Sequence, residues 1–563
     1  MSLRSSSSIL VVFLILSNIA VNTSAWDYDT DDSSDQIIAL KEMVSASSLH
    51  NYTLDLVDIA EEYPAFRVAG SRGANATADY VELRFEEMGL NVTRQAFPFL
   101  TWDLGSKASL SIDEDGDPNT TGDIWEPASF QTEAYSWPTK ANGSIGEAVV
   151  LPLPEYSNYD DWSSTSYFPF GLWSGINMTD KVVIVPSEIR WNEYFTNRMI
   201  SLMQSQQPTA VIWVWYFDWM EFADVMFMSS AGGRPMIMRG PFLWDLGLPS
   251  GSLNFEEGRR LMEMVDGSDP VATMKVDARI AQGEHYNIIG VMEGTENPER
   301  ELLLTAHYDS VLCEGYVDNA AGVGSLLEVA KVMTEAEARQ IWDPKYSIKF
   351  IAFAAEELGM IGSLHYLSDY GYMADNVTAV LNLDCVGSKD MAITQPYLDE
   401  ELELAALFQE VADANNVPLL ITSDTGSDHD SFIDPGGKVW DAEHLWDVDI
   451  PTSHKYAVSA AVMVYSEPIM PLESYGGYFG AIHTSKDSPD TSGWLNPEAH
   501  TKQTIVVLEV AAILSSGDPV YPPIISPFII TFVVLGVSIS AISLAIIYVL
   551  HRRGERQGEE KSP

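Results

Sequence analysis

The sequence contains few cysteines and few basic residues, and each shortage excludes a class of protein. Only Cys313 and Cys385 occur among 563 residues, so a disulfide framework does not hold this fold together. We expect two free, partly buried thiols, and one disulfide between them is the alternative. Lysine and arginine total 31 against 81 acidic residues, which gives a net charge of −50. Such a surface repels nucleic acid, so we expect no nucleic-acid partner.

Two apolar segments predict membrane targeting. Residues 1–25 combine a basic start at Arg4, an apolar run and a small-residue cleavage site, which is typical of a secretory signal. Residues 528–550 form an uncharged apolar stretch of 23 residues, long enough to span a bilayer. Basic residues follow in 551–563, which we therefore expect to be cytoplasmic. We predict a single-pass type I membrane protein whose main part is extracellular or lumenal.

Glycosylation sequons support the same placement of the chain. Beyond the predicted signal at 1–25, seven Asn-x-Ser/Thr motifs occur, and six of them precede residue 180. Their crowding predicts a glycosylated outer surface. The sequons begin at Asn51, Asn75, Asn91, Asn119, Asn142, Asn177 and Asn376.

The chain is too long for one core, and its residue pattern changes along its length. A helical pattern begins near Gln36 and recurs at residues 77–89. The next region is rich in Pro, Gly and Trp and predicts short strands around one helix, which is typical of a β-rich insert. From about residue 283, short apolar strands alternate with helices, and residues 516–527 form a proline-rich stalk. The predicted divisions are 1–25, 36–102, 103–282 (insert), 283–515 (catalytic), 516–527, 528–550 and 551–563.

The alternating region predicts an α/β fold with a mixed, mostly parallel sheet flanked by helices. In such sheets, ligands bind beyond the carboxyl ends of the strands. His307, the pair Glu356 and Glu357, and Asp384 each follow a different predicted strand. Three strand ends with ligand-type side chains indicate a site at this edge of the sheet.

Further candidates lie outside these strand ends. Asp318 stands at the entry to a predicted helix, where a helix cap is the simpler interpretation. His483 lies in a loop, where most histidines are solvent-exposed. Asp309 follows His307 by two residues, close enough to orient that ring or the neighbouring peptide. Two histidines and three carboxylates suit two zinc-like ions that share one carboxylate, with a further glutamate left to handle protons.

The motifs that carry these residues resemble those of the M28 peptidases, which are co-catalytic zinc aminopeptidases and carboxypeptidases. Residues 67–71 resemble the N-terminal element of that family, and the strand at 180–185 resembles part of its protease-associated (PA) domain. The similarity covers most of residues 36–515 and is weaker within the insert. The resembling motifs are residues 307–310, 318–322, 355–359 and 382–384, together with His483 and Asp487.

The resemblance implies a role for each candidate residue. One zinc would bind His307 and Asp384, and a second would bind Glu357 and His483. Asp318 would bridge the two ions, and its peptide bond to Asn319 would be cis. Glu356 would be the general base, with Asp309 as a further catalytic candidate. In the segment 426–432, which resembles a family segment near the substrate, we interpret His429 as a pocket or structural residue.

The choice between the two ends of a peptide depends on charge. A carboxypeptidase acting on acidic termini needs arginines near the metals, and residues 301–550 contain only Arg339. Aminopeptidase activity on peptides is therefore our prediction, although Arg190, Arg198, Arg234 or Arg239 in the insert could serve a carboxypeptidase. A glutaminyl-cyclase-like enzyme and a non-catalytic receptor or scaffold are the competing hypotheses. Such a site also accepts Co²⁺ or Mn²⁺, and the sequence leaves the oligomeric state open.

Overall fold

A computed structural model describes residues 33–116, 124–155, 169, 171–217, 247–370, 376–394, 399–422, 426–433, 461–467 and 482–517. The predicted secretory signal, membrane helix and cytoplasmic tail lie outside these ranges and remain predictions. Within the described ranges, no helix is both long enough and apolar enough to cross a bilayer.

The described strands are numbered in chain order. They are β1 (Asn91–Leu104), β2 (Ser109–Asp113), β3 (Ile124–Trp125), β4 (Gln131–Thr132), β5 (Ser144–Val150), β6 (Val182–Pro186), β7 (Ala210–Val214), β8 (Ser250–Ser252), β9 (Val271–Lys275), β10 (Ala278–Met292), β11 (Asn297–His307), β12 (Tyr346–Phe353), β13 (Val377–Leu383), β14 (Asp390–Thr394), β15 (Leu419–Thr422) and β16 (Ala461–Glu467).

The described α-helices are numbered in the same way. They are α1 (Ser33–Met43), α2 (Ala46–Glu61), α3 (Arg72–Glu87), α4 (Glu193–Gln206), α5 (Phe255–Gly267), α6 (Gly322–Ala338), α7 (Ile361–Tyr370), α8 (Asp399–Ala414), α9 (His429–Ile433) and α10 (Pro497–Ser515).

The N-terminal helices have side-chain caps that the sequence supplies locally. The Ser45 hydroxyl accepts the Ser48 amide at the start of α2, and the Ser71 hydroxyl accepts the Ala74 amide at the start of α3. Gly89 follows α3 with a φ of +83°, a left-handed conformation that glycine adopts without a steric penalty. The predicted helix at 77–89 is observed as α3, which begins five residues earlier, at Arg72, and ends at Glu87.

The first sheet has eight strands in the order β1-β10-β12-β11-β13-β16-β14-β15. Its centre is parallel, because β12, β11, β13 and β16 run in one direction. The strands β1 and β10 pair antiparallel along their whole length, up to Leu104 opposite Ala278. The predicted insert limits at 103 and 282 fall inside this strand pair, and the domain limits remain a prediction.

Helices cover the first sheet on both faces, as the sequence predicts. The α7 side chains Tyr366 and Leu367 pack with Phe432 of α9 against Leu303, Ile351 and Val380 of the central strands. The helices α6 and α10 contact β11 and each other. The mixed α/β fold of the prediction is therefore confirmed.

The second sheet lies between β1 and β10 in the sequence and has the order β3-β2-β9-β5-β6-β7-β8-β4. The apolar runs at 181–186 and 210–215 form β6 and β7, which are fully buried and joined through α4. Trp213 and Trp215 belong to the core of the insert, whereas Trp219 lies outside the described residues. Tyr135 connects this insert to the first sheet, because its hydroxyl donates to Ala69 O and Leu100 O at 2.9 and 3.0 Å.

Candidate metal centre

The carboxyl ends of the three central parallel strands bring ligand-type side chains to one place. His307 is the last residue of β11, and Asp384 directly follows β13. Glu356 and Glu357 follow β12 in a turn that starts at Ala355, whose φ is +57°. Because β12, β11 and β13 are neighbours, the strand-end rule used in the sequence analysis correctly located this edge.

Asp318 reaches the same place from the segment between β11 and α6. It lies in a one-turn π-helical segment, Tyr316–Ala321, and its φ of −111° and ψ of 88° are not helical. It is therefore not a simple helix cap. The peptide bond between Asp318 and Asn319 is cis, as the resemblance implies. The Asn319 side chain donates to Leu383 O at 2.8 Å and accepts the Gly322 amide at 3.0 Å, which ties this turn to the end of β13.

The five predicted ligands form two overlapping groups. One group contains His307, Asp318 and Asp384, the other contains Asp318, Glu357 and His483, and within each group the ligand atoms lie within 4.8 Å of one another. His307 Nε2 lies 3.2 Å from Asp318 Oδ1 and 3.4 Å from Asp384 Oδ1. His483 Nε2 lies 3.1 Å from both Asp318 Oδ2 and Glu357 Oε2. Asp318 thus turns one oxygen to each group.

Glu356 stands beside this cluster without belonging to either group. Its Oε2 lies 4.0 Å from His307 Nε2, and its side chain is 11% exposed. A carboxylate at this distance can exchange a proton with a molecule held between the ligand groups.

Asp309 acts on the glutamates more than on His307. Its Oδ1 lies 3.6 Å from His307 Nδ1, which is longer than a hydrogen bond. Its two oxygens instead accept the amides of Glu356 and Glu357, at 3.1 and 3.3 Å. The role in orienting the neighbouring peptide therefore fits the geometry better than the role in orienting the histidine ring.

Sequence reasoning missed a chain of hydrogen bonds that holds Asp384. The Ser427 hydroxyl donates to Asp384 Oδ2 at 2.6 Å and accepts from Asn382 Nδ2 at 2.7 Å. Asn382 Oδ1 in turn accepts the Thr305 hydroxyl at 2.7 Å. The Asp384 oxygen bonded by Ser427 is not the one that faces His307. The sequence feature that could have indicated these bonds is the polar segment at 426–432. Its spacing along the chain does not show that it contacts Asp384.

Two buried charged residues hold the ligand-bearing loops from behind. Asp487 Oδ1 and Oδ2 accept the amides of Val317 and Asp318 at 2.8 and 3.1 Å, and Asp487 Oδ1 also accepts the Trp494 indole at 2.6 Å. Asp487 thereby connects the segment that carries His483 to the one that carries Asp318. Arg67 donates to four backbone carbonyls, those of Leu56, Tyr308, Glu314 and Gly315.

The remaining candidates occupy structural positions. His429 begins α9, is buried and lies 3.5 Å from Asp430 Oδ1, outside both ligand groups. Cys313 and Cys385 are buried free thiols, as expected. Arg190 is paired with Glu133 in the insert and lies over the Trp213 ring. Arg234 and Arg239 lie outside the described residues.

Burial and crowding of like charges shift the pKa values in the cluster. Burial raises the pKa of Glu356 well above its ordinary value, and the nearby carboxylates of Asp384, Glu357 and Asp428 add to this. Burial alone would lower the pKa values of His307 and His483, but the carboxylates beside them raise both well above the ordinary value. The two histidines in turn lower the pKa of Asp318, against the effect of its burial.

The donor set fits divalent cations. The carboxylates of Asp318, Glu356, Glu357 and Asp384 lie around only two imidazoles, and Glu357 Oε1 is buried without a hydrogen-bond partner among the described residues. Four carboxylate charges are neutralised if two divalent cations bind and both histidines are neutral. Histidine nitrogen and carboxylate oxygen are ligands that zinc accepts.

Solved structures share this fold. A peptidase M28 precursor from Shewanella amazonensis SB2B superposes with a TM-score of 0.56 at 17% identity, over 88% of this chain and 99% of that one. The zinc aminopeptidase BSAP from Bacillus subtilis superposes with a TM-score of 0.55 at 18% identity, over 83% and 95% of the two chains. At these identities the similarity establishes the fold, which is that of the zinc aminopeptidases.

Sequence comparison finds a family match for part of the chain. Residues 287–508 match the model of peptidase family M28. The probable glutamate carboxypeptidase LAMP1 of Arabidopsis thaliana is 34% identical over 165 residues, which are 26% of this chain and 24% of that protein. Aminopeptidase YwaD of Bacillus subtilis is 33% identical over 159 residues, which are 27% and 32% of the two chains. The chain thus spans about a quarter to a third of the length of these relatives.

Proposed function

We propose that this protein is a metal-dependent exopeptidase that removes residues from the amino terminus of peptides. The observation that carries the proposal is the pair of ligand groups that share Asp318, with Glu356 beside them. The match of residues 287–508 to the M28 family supports a peptidase, and relatives named as aminopeptidases and as glutamate carboxypeptidases both occur.

Two divalent cations, zinc by preference, would occupy the two ligand groups. His307 and Asp384 would hold one ion, Glu357 and His483 the other, and Asp318 both. When bound, such cations supply Lewis acidity that polarises a carbonyl and makes water acidic near neutral pH. Asp309 holds the turn at Glu356 and Glu357 through hydrogen bonds from both of their amides. In this turn, Glu357 would bind a metal ion and Glu356 would transfer a proton.

Glu356 would carry the proton during peptide hydrolysis. Its raised pKa makes it a better proton acceptor than an ordinary surface glutamate. It would accept a proton from the attacking water at Oε2 and deliver that proton to the departing amine.

The charge around the site favours a free amino terminus. Beyond the four carboxylates that two divalent cations would neutralise, the buried carboxyl groups of Asp309 and Asp428 lie near Glu356, and carboxylates attract an ammonium group and repel another carboxylate. Arg190, one candidate for binding a terminal carboxylate, is 11% exposed and already paired with Glu133. Carboxypeptidase activity is the second candidate, because a relative carries that name.

We also propose that the catalytic part is extracellular or lumenal and is anchored by residues 528–550. The proposal depends on the secretory signal and the apolar run read from the sequence. Release of the chain from membranes by alkaline carbonate would contradict a spanning helix.

The decisive experiment is hydrolysis of aminoacyl chromogens and N-blocked peptides by the purified full-length protein. We expect cleavage of free-amine substrates only, loss of activity with a chelator, and two metal ions per chain by elemental analysis. Glu356→Gln should lower kcat by about 10²- to 10⁴-fold and retain both metal ions. Glu410→Gln, on the exposed face of α8, is the matched control and should behave as the wild type.

Different results would replace the proposal. Cleavage of N-blocked peptides at their carboxyl end would establish a carboxypeptidase. Release of ammonia from peptides with N-terminal glutamine would indicate a cyclase. Inactivity on every substrate, with fewer than two metal ions bound, would indicate a receptor or scaffold.

A further inference from the structure

Three sequons lie where a folded chain can carry a large polar group. Asn91, Asn142 and Asn177 are all exposed. Each stands at the start of a strand or in a turn, outside any helix. An N-linked glycan is bulky and hydrophilic, so the asparagine that carries it must remain at the surface after folding.

Asn91 is the first residue of β1, which pairs only with β10 and forms one edge of the first sheet. Asn91 and Thr93 are both exposed and point to the same side of the strand, because side chains alternate. Across the sheet, Asn91 of β1 pairs with Val291 of β10, and Val291 pairs with Lys349 of β12. Lys349 in turn pairs with Leu303 of β11. Leu303 precedes His307 by four residues, so this position is about 13 Å along the strand direction from the metal-ligand edge. A glycan there leaves the candidate metal centre open.

Asn142 and Asn177 occupy turns of the insert. The Gly143 amide donates to Lys140 O at 2.7 Å, which makes Asn142 a central residue of a β-turn. The Asn177 side-chain oxygen accepts the Thr179 amide at 3.1 Å, and both sequon residues are exposed. This bond uses the oxygen of the Asn177 amide and leaves the nitrogen, the atom that is modified, available.

Asn75 provides the contrast within the same chain. It lies in the first turn of α3, and its side-chain oxygen is inaccessible and has no partner among the described residues. The hydroxyl of its sequon residue Thr77 is buried and donates to Gly73 O at 3.0 Å. A glycan on Asn75 would have to displace this packing against the rest of the protein.

We propose that Asn91, Asn142 and Asn177 are N-glycosylated and that Asn75 is not. The proposal depends on entry of the chain into the secretory pathway, as residues 1–25 predict. The donor is a lipid-diphosphate-linked oligosaccharide. The asparagine amide nitrogen bonds to the first carbon of the sugar and gives up one proton. The bond from that carbon to the diphosphate oxygen breaks, and the lipid diphosphate leaves.

The test is glycan mapping on the full-length protein from a eukaryotic cell. Enzymatic deglycosylation in heavy-oxygen water converts each glycosylated asparagine to a labelled aspartate that mass spectrometry locates. We expect label at Asn91, Asn142 and Asn177 and none at Asn75. Label at Asn75, absence of label at any of the other three, or a chain with no sugar would overturn the proposal.

A pair of variants separates glycosylation at Asn91 from an effect on folding. Thr93→Ala removes the sequon and should remove one glycan, which is seen as a faster band on a gel. Thr93→Ser keeps the sequon and should keep the glycan. Because Thr93 is exposed, both proteins should fold. Equal mobility of the two variants would contradict a glycan at Asn91.

Discussion

At the scale of single residues, the candidate centre depends on side chains that bind no metal themselves. Asp487 accepts three hydrogen bonds, two of them from the amides at Val317 and Asp318. The orientation of Asp318, which belongs to both ligand groups, therefore depends on a residue only four positions after His483. Metal sites commonly lose affinity when such supporting contacts are removed.

We predict that Asp487→Asn weakens metal binding. An asparagine presents one amide group where two carboxylate oxygens now accept N–H donors, so at least one donor loses its partner. Metal affinity and kcat/KM should each fall by about 10- to 100-fold. Titration against a metal-binding dye measures the affinity independently of activity.

The control for this variant comes from the same loop. Asp490→Asn makes the same chemical change at an exposed position, where the backbone amide contacts the Ser488 hydroxyl. It should retain the wild-type metal affinity. Equal losses in the two variants would mean that charge, and not the position of Asp487, sets the affinity.

At the scale of elements, the chain order of strands and helices was readable, but the connections between distant elements were not. The apolar run that begins at residue 348 belongs to β12, Tyr346–Phe353, and the helical pattern that begins at residue 322 belongs to α6. Apolar runs and helical periods in the sequence determine such elements locally. Arg67 joins segments that are far apart in the chain, because its side chain donates to both Leu56 O and Tyr308 O, and Tyr308 follows Arg67 by 241 residues.

We predict that Arg67→Lys destabilises the protein. Arginine presents five N–H donors in a planar fork, whereas lysine presents three donors on one nitrogen and cannot span the same four carbonyls. Buried carbonyls left without donors should lower the free energy of unfolding by about 3 kcal/mol. Denaturant unfolding followed by fluorescence measures this change.

Arg72→Lys is the matched control for Arg67→Lys. Its side chain is 51% exposed and paired with Asp103, so the same exchange should change stability by less than about 1 kcal/mol. A similar loss in both variants would show that the carbonyl contacts of Arg67 add nothing to stability.

At the scale of the whole molecule, buried histidines link folding to pH. Burial lowers the pKa of His285, His365 and His500 to about 4 from 6.5. His500 Nε2 lies 2.9 Å from the Ser325 hydroxyl and 3.0 Å from Ala321 O, which joins α10 to the start of α6. The folded state holds these rings neutral, whereas the unfolded chain protonates them below pH 6.5.

We predict that these three histidines lower the stability of the folded state as the pH falls from 6.5 towards 4. The unfolded state then binds more protons than the folded state, so acid favours unfolding, by up to about 1.4 kcal/mol per pH unit for each histidine. In His500→Gln one such group is absent, and the fall of Tm with acidification should be shallower than in the wild type. Parallel curves of Tm against pH for the two proteins would show that His500 does not contribute to the pH dependence of stability.

The sequence by itself determined the α/β class and the strand ends, because local periodicity and residue type carry that information. The ligand roles of Asp318 and His483 rested on the resemblance of their motifs to a known family, and the structure brings the five predicted residues together in two groups. Only the tertiary structure decided that Asp309 supports the glutamate turn, that Ser427 bonds to Asp384, and that Arg67 and Asp487 hold the loops. Each of these contacts joins residues far apart in the chain or depends on the conformation of a loop. Long-range contacts and loop conformations leave no periodic pattern in the sequence.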